Sequence, residues 1–384
     1  MALIYCGIDE AGYGPMLGPL CVGFSAFRVE DWTPEGGAPD LWKLLDKAVC
    51  RKGRDSRGRI AVADSKKLKL SNQSKTRHPL THLERGVLAF GGLACQKSPL
   101  REQGDRVGGE ASDDRDPSLA GGAPSDAPSL ARGALPAEHT GLDLTTDHAL
   151  FCALGAHLEP HPWYGGEAVG LPLEGSEAQL AIARNTLALT CERAGVEPLA
   201  LACIAVGESE FNEAVRTGGS KAHLTTRCFA RYLRRVVERW GDGGDEVRVV
   251  CDRHGGRTSY ASMIEMAVRG LGCGVETLEE SERCSRYLIE RDPSLARGGL
   301  HRGSPCVHVQ FRPEAEEAHL PVALASMTAK LVRELSMARF NRYWCARMPE
   351  LKPTAGYVQD ARRWLEDLDG VMYDDEREAM VRLA

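Results

Sequence analysis

"LIYCGIDEAGYGPMLGPLCVGFSAF", residues 3–27, contains the strongest structural signal in this chain. Two apolar runs, 3–8 and 20–27, flank a turn rich in glycine and proline. Each run has the length and apolar character of a buried β-strand. Asp9 and Glu10 follow the first run directly, so we expect their carboxylates at the end of a central strand.

Two interpretations of this turn do not involve a metal. A dinucleotide-binding turn also has glycines after a strand and an acid such as Glu30 downstream, but it needs a helix whose N-terminus holds the pyrophosphate. Pro15 and Pro19 oppose a helix here, and the two acids would repel phosphates. A purely structural turn would explain the glycines. It would leave acids at the end of a central strand, which is costly unless they are solvated or neutralised.

A divalent-metal site is the third interpretation, because Mg²⁺ and Mn²⁺ prefer hard oxygen ligands. Such a site needs acids from elsewhere in the chain. Asp252 ends another buried-looking strand, "VRVVCD", at 247–252. The segment "PEAEEAH", 313–319, adds Glu314, Glu316 and Glu317 just before a predicted helix.

The rest of the chain alternates strand and helix patterns, which predicts a mixed α/β fold. Further strands are predicted at 199–206, 247–251, 274–278 and 307–311. Helices are predicted at 176–195, 211–240, 324–338 and 362–369, with another ending near residue 90. The segment 91–146 is rich in Gly, Ala, Pro, Ser and Asp, and we expect a disordered insert there. We interpret 1–90 and 199–371 as one domain, 147–198 as a partly helical insertion packed on it, and 372–384 as a C-terminal tail.

The composition is that of a packed globular protein, with 43% hydrophobic and 27% charged residues in 384. No apolar stretch is long enough to predict a membrane span. The first residues have no basic region ahead of an apolar one, so they do not resemble a signal peptide. The 13 cysteines are scattered without a C-x-x-C pair, which favours reduced thiols. We therefore expect a cytoplasmic protein.

The net charge of −6 argues weakly against a nucleic-acid partner. However, three segments are basic: 65–85, 211–240 and 326–347. They are either solvated helix faces or parts of one phosphate-binding surface beside the acids. The sequence leaves both interpretations open.

Five motifs occur in the order found in type 2 ribonucleases H, the ribonuclease HII and HIII family, which the chain resembles. They are "GIDEAGYGPMLGP" (7–19), "DSKKL" (64–68), "VVCDRHGG" (249–256), "ASMTAKLVREL" (325–335) and "GY" (356–357). The resemblance covers about half of the chain. It implies a ribonuclease H-like fold with a mixed central sheet flanked by helices, and cleavage of RNA in RNA/DNA hybrids or of single ribonucleotides in DNA.

The resemblance also implies four catalytic acids that bind Mg²⁺ or Mn²⁺. Asp9 and Glu10 match the paired acids of the family, and Asp252 matches the acid of the later strand. The fourth acid of the family lies ten residues before the serine that corresponds to Ser326, which gives Glu316 in place of the usual aspartate. Three other acids are alternatives for this position: Glu314, Glu317 and Glu279.

The same resemblance implies a duplex-binding surface. Its predicted members are Gly12, Tyr13, Gly14, Lys66, Lys67, Lys330 and Tyr357. In the family, the backbone of the glycine turn reads the ribose 2′-hydroxyl, and a basic residue stands where this chain has Tyr13. The alternative functions are a non-catalytic nucleic-acid-binding protein on the same scaffold and a nuclease with a different substrate.

Overall fold

The computed structural model describes residues 1–94, 144–218, 220–291 and 306–383. Their strands are β1 (Leu3–Ala11), β2 (Leu20–Val29), β3 (Val49–Cys50), β4 (Ile60–Ala61), β5 (Val196–Val206), β6 (Glu246–Asp252), β7 (Cys273–Glu280), β8 (Ser285–Arg291) and β9 (Cys306–Arg312). Seven of these described strands form the main sheet, in the order β5-β2-β1-β6-β9-β8-β7, while β3 pairs with β4. The pairs β1–β6 and β6–β9 are parallel and the other pairs of the main sheet are antiparallel.

Helices cover both faces of the main sheet. Those of the described residues are α1 (Leu41–Leu44), α2 (Ser65–Leu68), α3 (Thr81–Ala94), α4 (Asp147–Leu154), α5 (Glu177–Ala194), α6 (Glu208–Gly218), α7 (Lys221–Trp240), α8 (Ala261–Val268), α9 (Ala315–Ala318), α10 (Leu320–Arg347), α11 (Val358–Asp367) and α12 (Asp374–Met380). One hydrophobic core lies between the sheet and α3, α5 and α10. A second lies between the sheet and α7 and α8. The predicted mixed α/β class, with helices flanking a mixed sheet, is confirmed.

Two glycines let α10 lie directly on the sheet. A Cβ atom on Gly7 would lie 2.2 Å from the carbonyl carbon of Pro321, and one on Gly23 would lie 2.0 Å from the carbonyl oxygen of Ala325. A larger residue at either position would therefore push the helix away. This close contact brings the first turns of α10 to the carboxyl end of β1.

The parallel pairing of β1 and β6 sets the position of the acids. Ile8 is the register partner of Cys251, so Asp9 and Asp252 are the next residues on adjacent strands. Neighbouring strands lie about 4.8 Å apart. The carboxyl ends of parallel strands are where ligands bind in many α/β proteins.

Three sequence predictions differ from the structure in detail. The predicted helix 211–240 is two helices, because α6 ends at Gly218 and the Ser220 side chain caps α7 by accepting the His223 N–H at 3.3 Å. No strand is predicted between 278 and 307, but β8 lies there, and its Tyr287 and Ile289 are buried at alternate positions. The predicted tail at 372–384 includes α12 and the buried side chain of Arg382, because that side chain bonds to backbone carbonyls inside the molecule.

The predicted disordered insert lies mostly outside the described residues. Residues 91–94 complete α3, and Thr146 caps α4 by accepting the Ala149 N–H at 3.1 Å. The insertion at 147–198 is tied to α10 by a buried ion pair, in which Asp147 accepts two hydrogen bonds from Arg339 at 2.6 and 2.7 Å. The insertion therefore packs on the main sheet's helices.

Within the described ranges, no helix combines the length and the apolar character that crossing a membrane requires. Eleven cysteines of these ranges are free thiols, and most of the eleven are buried.

Candidate metal centre and nucleic-acid surface

Asp9 lies at the carboxyl end of β1, covered by α10. Its side chain is 7% exposed and forms a hydrogen bond with the Ser326 side chain. Ser326 in turn lies 3.0 Å, oxygen to oxygen, from the Ser65 hydroxyl. The motifs that contain these serines, "ASMTAKLVREL" and "DSKKL", thus meet behind the first acid of the candidate site.

Asp252 connects the end of β6 to the short helix that carries Glu316. Its Oδ1 accepts the backbone N–H of Ala315 at 3.0 Å. This contact fixes α9 beside the end of β6, so that Glu316 interacts electrostatically with Asp9, Glu10 and Asp252. The structure therefore brings together the four acids that the sequence indicated.

Burial and mutual repulsion act on all four carboxyl groups. Burial raises the pKa of Asp9 well above its usual value, and the charges of Glu10 and Asp252 raise it further. The pKa of Glu10 is raised to about 7, mainly by burial and secondly by the charge of Asp252. Burial is also the main cause of the raised pKa values of Asp252 and Glu316. Carboxylates arranged in this way are stabilised when a cation neutralises them.

Two oxygen atoms of this acid cluster are buried without a hydrogen-bond partner. They are Oε2 of Glu10 and Oε2 of Glu316. A buried carboxylate oxygen without a donor is unfavourable unless a cation contacts it. The donor set is made entirely of hard oxygens, the ligand type that Mg²⁺ and Mn²⁺ prefer, but no three of these four carboxylates have ligand atoms within 4.8 Å of one another.

The other candidates for the fourth acid have different surroundings. Glu317 forms an ion pair with Lys67, and Glu279 forms one with Arg286 at 2.8 Å. Glu314 is exposed, at a left-handed backbone position with φ of 53°. Neither Glu317 nor Glu279 has a buried oxygen without a partner, which distinguishes both from Glu316.

A second acidic group was not found by the sequence reasoning, because its residues belong to no motif. Among the described residues, ligand atoms of Glu159, His161 and Glu208 lie within 4.8 Å of one another and could hold a metal ion. Three of the four carboxylate oxygens of this group have partners within the protein. Glu159 accepts the backbone N–H groups of Ser209 and Glu210 at the start of α6, at 3.2 and 2.8 Å. Glu208 Oε1 accepts the Tyr164 hydroxyl at 2.5 Å and the Gly18 N–H at 3.1 Å, whereas Glu208 Oε2 is buried without a hydrogen-bond partner, as in Glu10 and Glu316.

The two lysines of "DSKKL" lie on the open side of the acid cluster. Asp64 caps α2 by accepting the Lys66 N–H at 2.8 Å. The exposed Lys66 ammonium acts on Glu10 and Asp252, where its charge opposes the rise in their pKa values. The ammonium of Lys67 is paired with Glu317. Lys66 is therefore the better placed of the two to meet a phosphate near the acids.

The glycine turn that follows β1 has two dissimilar glycines. Gly12 has a φ of +90°, and a Cβ atom there would lie 2.7 Å from Arg333 Cδ and from the Pro19 carbonyl oxygen. A Cβ atom on Gly14 would meet no atom within 4 Å. The fold therefore requires glycine at position 12 but does not require it at position 14.

Tyr13 occupies the tip of this turn, and a cation lies over its ring. The side chain is 36% exposed, and Lys221 Nζ lies 5.1 Å from the ring centroid. Lys221 begins α7, so a basic group from another element lies beside the position where the sequence has no basic residue. In the sequence, the only indication of this basic group beside Tyr13 was the positive charge of the segment 211–240.

Tyr357 shares a surface with the glycine turn. The Gly356 carbonyl accepts the N–H groups of Met16 and Leu17 at 2.8 and 3.2 Å, which joins the two segments. The Tyr357 ring is 50% exposed, and Arg333 Cζ lies 5.7 Å from its centroid. Two exposed rings, Tyr13 and Tyr357, thus flank the same turn.

Lys330 is in a different environment from the other predicted duplex-binding residues. It is 9% exposed and forms an ion pair with Glu334 at 2.7 Å. Lys69 also approaches Glu334, at 3.7 Å. A phosphate would have to displace Glu334 to reach Lys330, so its predicted substrate contact has less support than that of Lys66.

No protein-family model and no curated protein matches the chain. Among solved structures, the chain is similar to RNase HII in the PCNA:RNase HII complex of Archaeoglobus fulgidus, with 12% identity and a TM-score of 0.37 over 99% of this chain and 94% of the other. It is similar to ribonuclease H2 of Pyrococcus horikoshii OT3, with 13% identity and a TM-score of 0.38 over 100% and 92%. It is also similar to RNase H3 of Aquifex aeolicus, with 13% identity and a TM-score of 0.35 over 98% and 71%. All three of these solved structures contain a ribonuclease H.

Proposed function

We propose that this protein is a divalent-metal-dependent endonuclease that cleaves the RNA strand of RNA/DNA hybrids or ribonucleotides embedded in DNA. One observation carries the proposal: Asp9, Glu10, Asp252 and Glu316 cluster at the ends of β1 and β6 with two buried oxygens unpartnered. A protein that only bound nucleic acid would gain nothing from acids that repel phosphates. With cations bound, the same acids attract them.

On this proposal, the residues of the site would have separate roles in catalysis and in substrate binding. Two divalent ions held by the four carboxylates would activate water and stabilise the leaving oxygen, which gives 3′-hydroxyl and 5′-phosphate ends. Ser326 and the Ala315 N–H keep Asp9 and Asp252 oriented. Lys66 attracts the phosphate backbone. The exposed rings of Tyr13 and Tyr357 offer flat surfaces for a sugar or base.

Cleavage of three labelled duplexes tests this function: an RNA/DNA hybrid, DNA with a single ribonucleotide, and all-DNA. We expect the wild type to cut the first or the second with Mn²⁺ or Mg²⁺ and to leave the third intact. Asp9→Asn keeps the shape of the side chain but removes a charge, and we expect a loss of at least about 100-fold in rate.

Binding assays separate this proposal from a non-catalytic role. Asp9→Asn should still bind the duplexes, because the lysines and tyrosines are unchanged. A wild type that binds hybrids, cuts none of them and has a melting temperature insensitive to Mn²⁺ would establish the non-catalytic alternative. Equal cleavage by wild type and Asp9→Asn would refute the site.

A further inference from the structure

We propose that Arg382 is a positioning residue, which holds the turn 12–18 so that its backbone N–H groups face the substrate. This inference rests on the proposed function, since it concerns the turn beside the candidate metal centre. Arg382 follows α12 and is 3% exposed. It is distant in sequence from every motif of the candidate site.

The guanidinium of Arg382 bonds to both ends of the turn. Its Nη1 donates to the carbonyl oxygens of Gly12 and Gly18 at 2.7 and 3.2 Å, and its Nη2 donates to that of Tyr13 at 3.4 Å. The backbone N–H of Arg382 also donates to the Met16 carbonyl at 2.8 Å. One side chain thus fixes the separation of the two ends and the direction of three carbonyl groups.

These contacts determine where the N–H groups of the turn point. In a trans peptide the C=O and the following N–H point in opposite directions. The carbonyls of Gly12 and Tyr13 face the buried guanidinium, so the N–H groups of Tyr13 and Gly14 face away from it. Neither N–H has an acceptor among the described residues, and the space beside Gly14 is open. Two adjacent free donors can bind a sugar hydroxyl or a phosphate oxygen.

The hydrogen bonds of the Arg382 side chain go to the turn, and its other neighbours are an aromatic ring and a carboxylate. Its guanidinium carbon lies 3.8 Å from the centroid of the Phe211 ring. The carboxylate of Glu208 acts on Arg382 electrostatically and accepts the Gly18 N–H at 3.1 Å. A buried cation is costly unless hydrogen bonds satisfy it. The turn carbonyls supply these bonds to Nη1 and Nη2, while Nε is buried without a partner, so the buried charge and the shape of the turn depend on each other.

Arg382→Lys tests the role, because an ammonium keeps the charge but lacks the planar fork that reaches three carbonyls. We expect kcat/KM on single-ribonucleotide DNA to fall at least about 10-fold, and the preference for ribose over 2′-fluororibose at the cleaved position to weaken. The Mn²⁺ concentration for half-maximal activity should not change, because the acids are untouched. Arg347→Lys is the control, since Arg347 docks α12 through Glu376 without touching the turn.

Amide hydrogen exchange gives a readout that does not need activity. Exchange within 12–18 should be faster in Arg382→Lys than in the wild type and in Arg347→Lys, while exchange in β1 stays the same. Wild-type exchange and wild-type sugar preference in Arg382→Lys would overturn the proposal. If the wild type cuts no duplex, the proposed function fails, and the exchange comparison alone supports or refutes the positioning role.

A second variant covers the case in which Arg382→Lys does not fold. The Asn212 side chain donates to the Val381 carbonyl at 2.8 Å and accepts the Leu383 N–H at 2.7 Å, so it holds the backbone on both sides of Arg382. Asn212→Ala should loosen this segment. We expect it to lower kcat/KM, to weaken the preference for ribose and to speed amide exchange within 12–18, each by less than Arg382→Lys does. A folded Asn212→Ala with wild-type exchange in 12–18 would overturn the proposal.

Discussion

Asp9 and Glu316 reach the same cluster by different means. Asp9 is set by its place in a central strand and by Ser326 on the helix above it. Glu316 belongs to a four-residue helix, and its position depends on the contact between the Ala315 N–H and Asp252. The first acid therefore depends on the sheet, and the last depends on one hydrogen bond to another acid of the cluster.

Neighbouring glutamates on α9 provide a matched pair of substitutions. On the proposed function, Glu316→Gln should lower cleavage at least about 100-fold, because it would remove one of the four charges proposed to hold the cations. Glu317→Gln should stay within about 3-fold of wild type, since Glu317 is exposed and faces Lys67. Single-turnover rates at saturating Mn²⁺ measure both. The reverse ranking would move the fourth acid to Glu317.

Three of the four acids could be predicted from the sequence because each follows an apolar run. Asp9, Glu10 and Asp252 end strands, and parallel strands end at one edge of a sheet. Glu316 could not be separated from its neighbours by pattern alone, because the orientation of α9 decides which side chain turns inward. Lys221 and Arg382 were missed because each approaches the turn from a distant part of the chain.

The turn between β1 and β2 is held by four other elements. Arg333 of α10 donates to the Leu17 carbonyl at 3.2 Å, and Glu208 of α6 accepts the Gly18 N–H. The segment before α11 accepts two N–H groups, and the segment after α12 supplies Arg382. So many supports favour a rigid turn, which on the proposed function suits a surface that discriminates between sugars.

The two glycines of the turn should respond differently to alanine. Gly12→Ala meets positive φ and atoms 2.7 Å away, so it should lower the free energy of unfolding by roughly 1–3 kcal/mol. Gly14→Ala has open space and should fold normally, but on the proposed function its methyl group would stand where the sugar of the substrate binds. We expect Gly14→Ala to raise KM at least about 5-fold with an unchanged unfolding curve. Denaturant titration and steady-state kinetics measure the two effects, and normal kinetics in Gly14→Ala would exclude a substrate contact there.

Most elements were predictable because their apolar periodicity is clear, but several boundaries were not. The strand β8 has exposed and half-buried positions between its buried ones, and Gly- and Arg-rich neighbours conceal it. The segment after α12 looks polar, so the sequence suggested a tail. Arg382 is buried because it bonds to carbonyl groups of a turn that is far away in sequence. No local sequence pattern predicts a hydrogen bond over such a distance.

Across the whole molecule, a buried acid links α3 to the insertion. Glu84 is 1% exposed, accepts the backbone N–H of Leu173, and has an Oε2 without a partner. Burial raises its pKa from 4.5 to about 7. A raised pKa means that the fold favours the neutral form, so this stabilisation is complete below about pH 4.5 and is lost as the pH rises through about 7.

The stability of the Glu84→Gln variant relative to wild type should therefore increase as the pH rises. Between pH 5 and pH 8, we expect its free energy of unfolding relative to wild type to increase by about 2 kcal/mol. Urea unfolding at the two pH values measures this difference. Glu174→Gln is the control, because a hydrogen bond from Thr81 lowers the pKa of Glu174 and leaves it ionised throughout this range. A constant difference for Glu84→Gln would show that Glu84 does not titrate near pH 7.

The hydrogen bond between Arg382 and Gly12 joins residues 370 positions apart. Ribosomes add about 5–20 residues per second, so Gly12 is made roughly 20–70 s before its partner. During that time the nascent chain can gain the contacts of the turn with Glu208, Arg333 and Gly356, but it lacks the guanidinium that bonds to three of the turn's carbonyls. On the proposed function, a growing chain therefore acquires its full selectivity for ribose only after residue 382 has been translated.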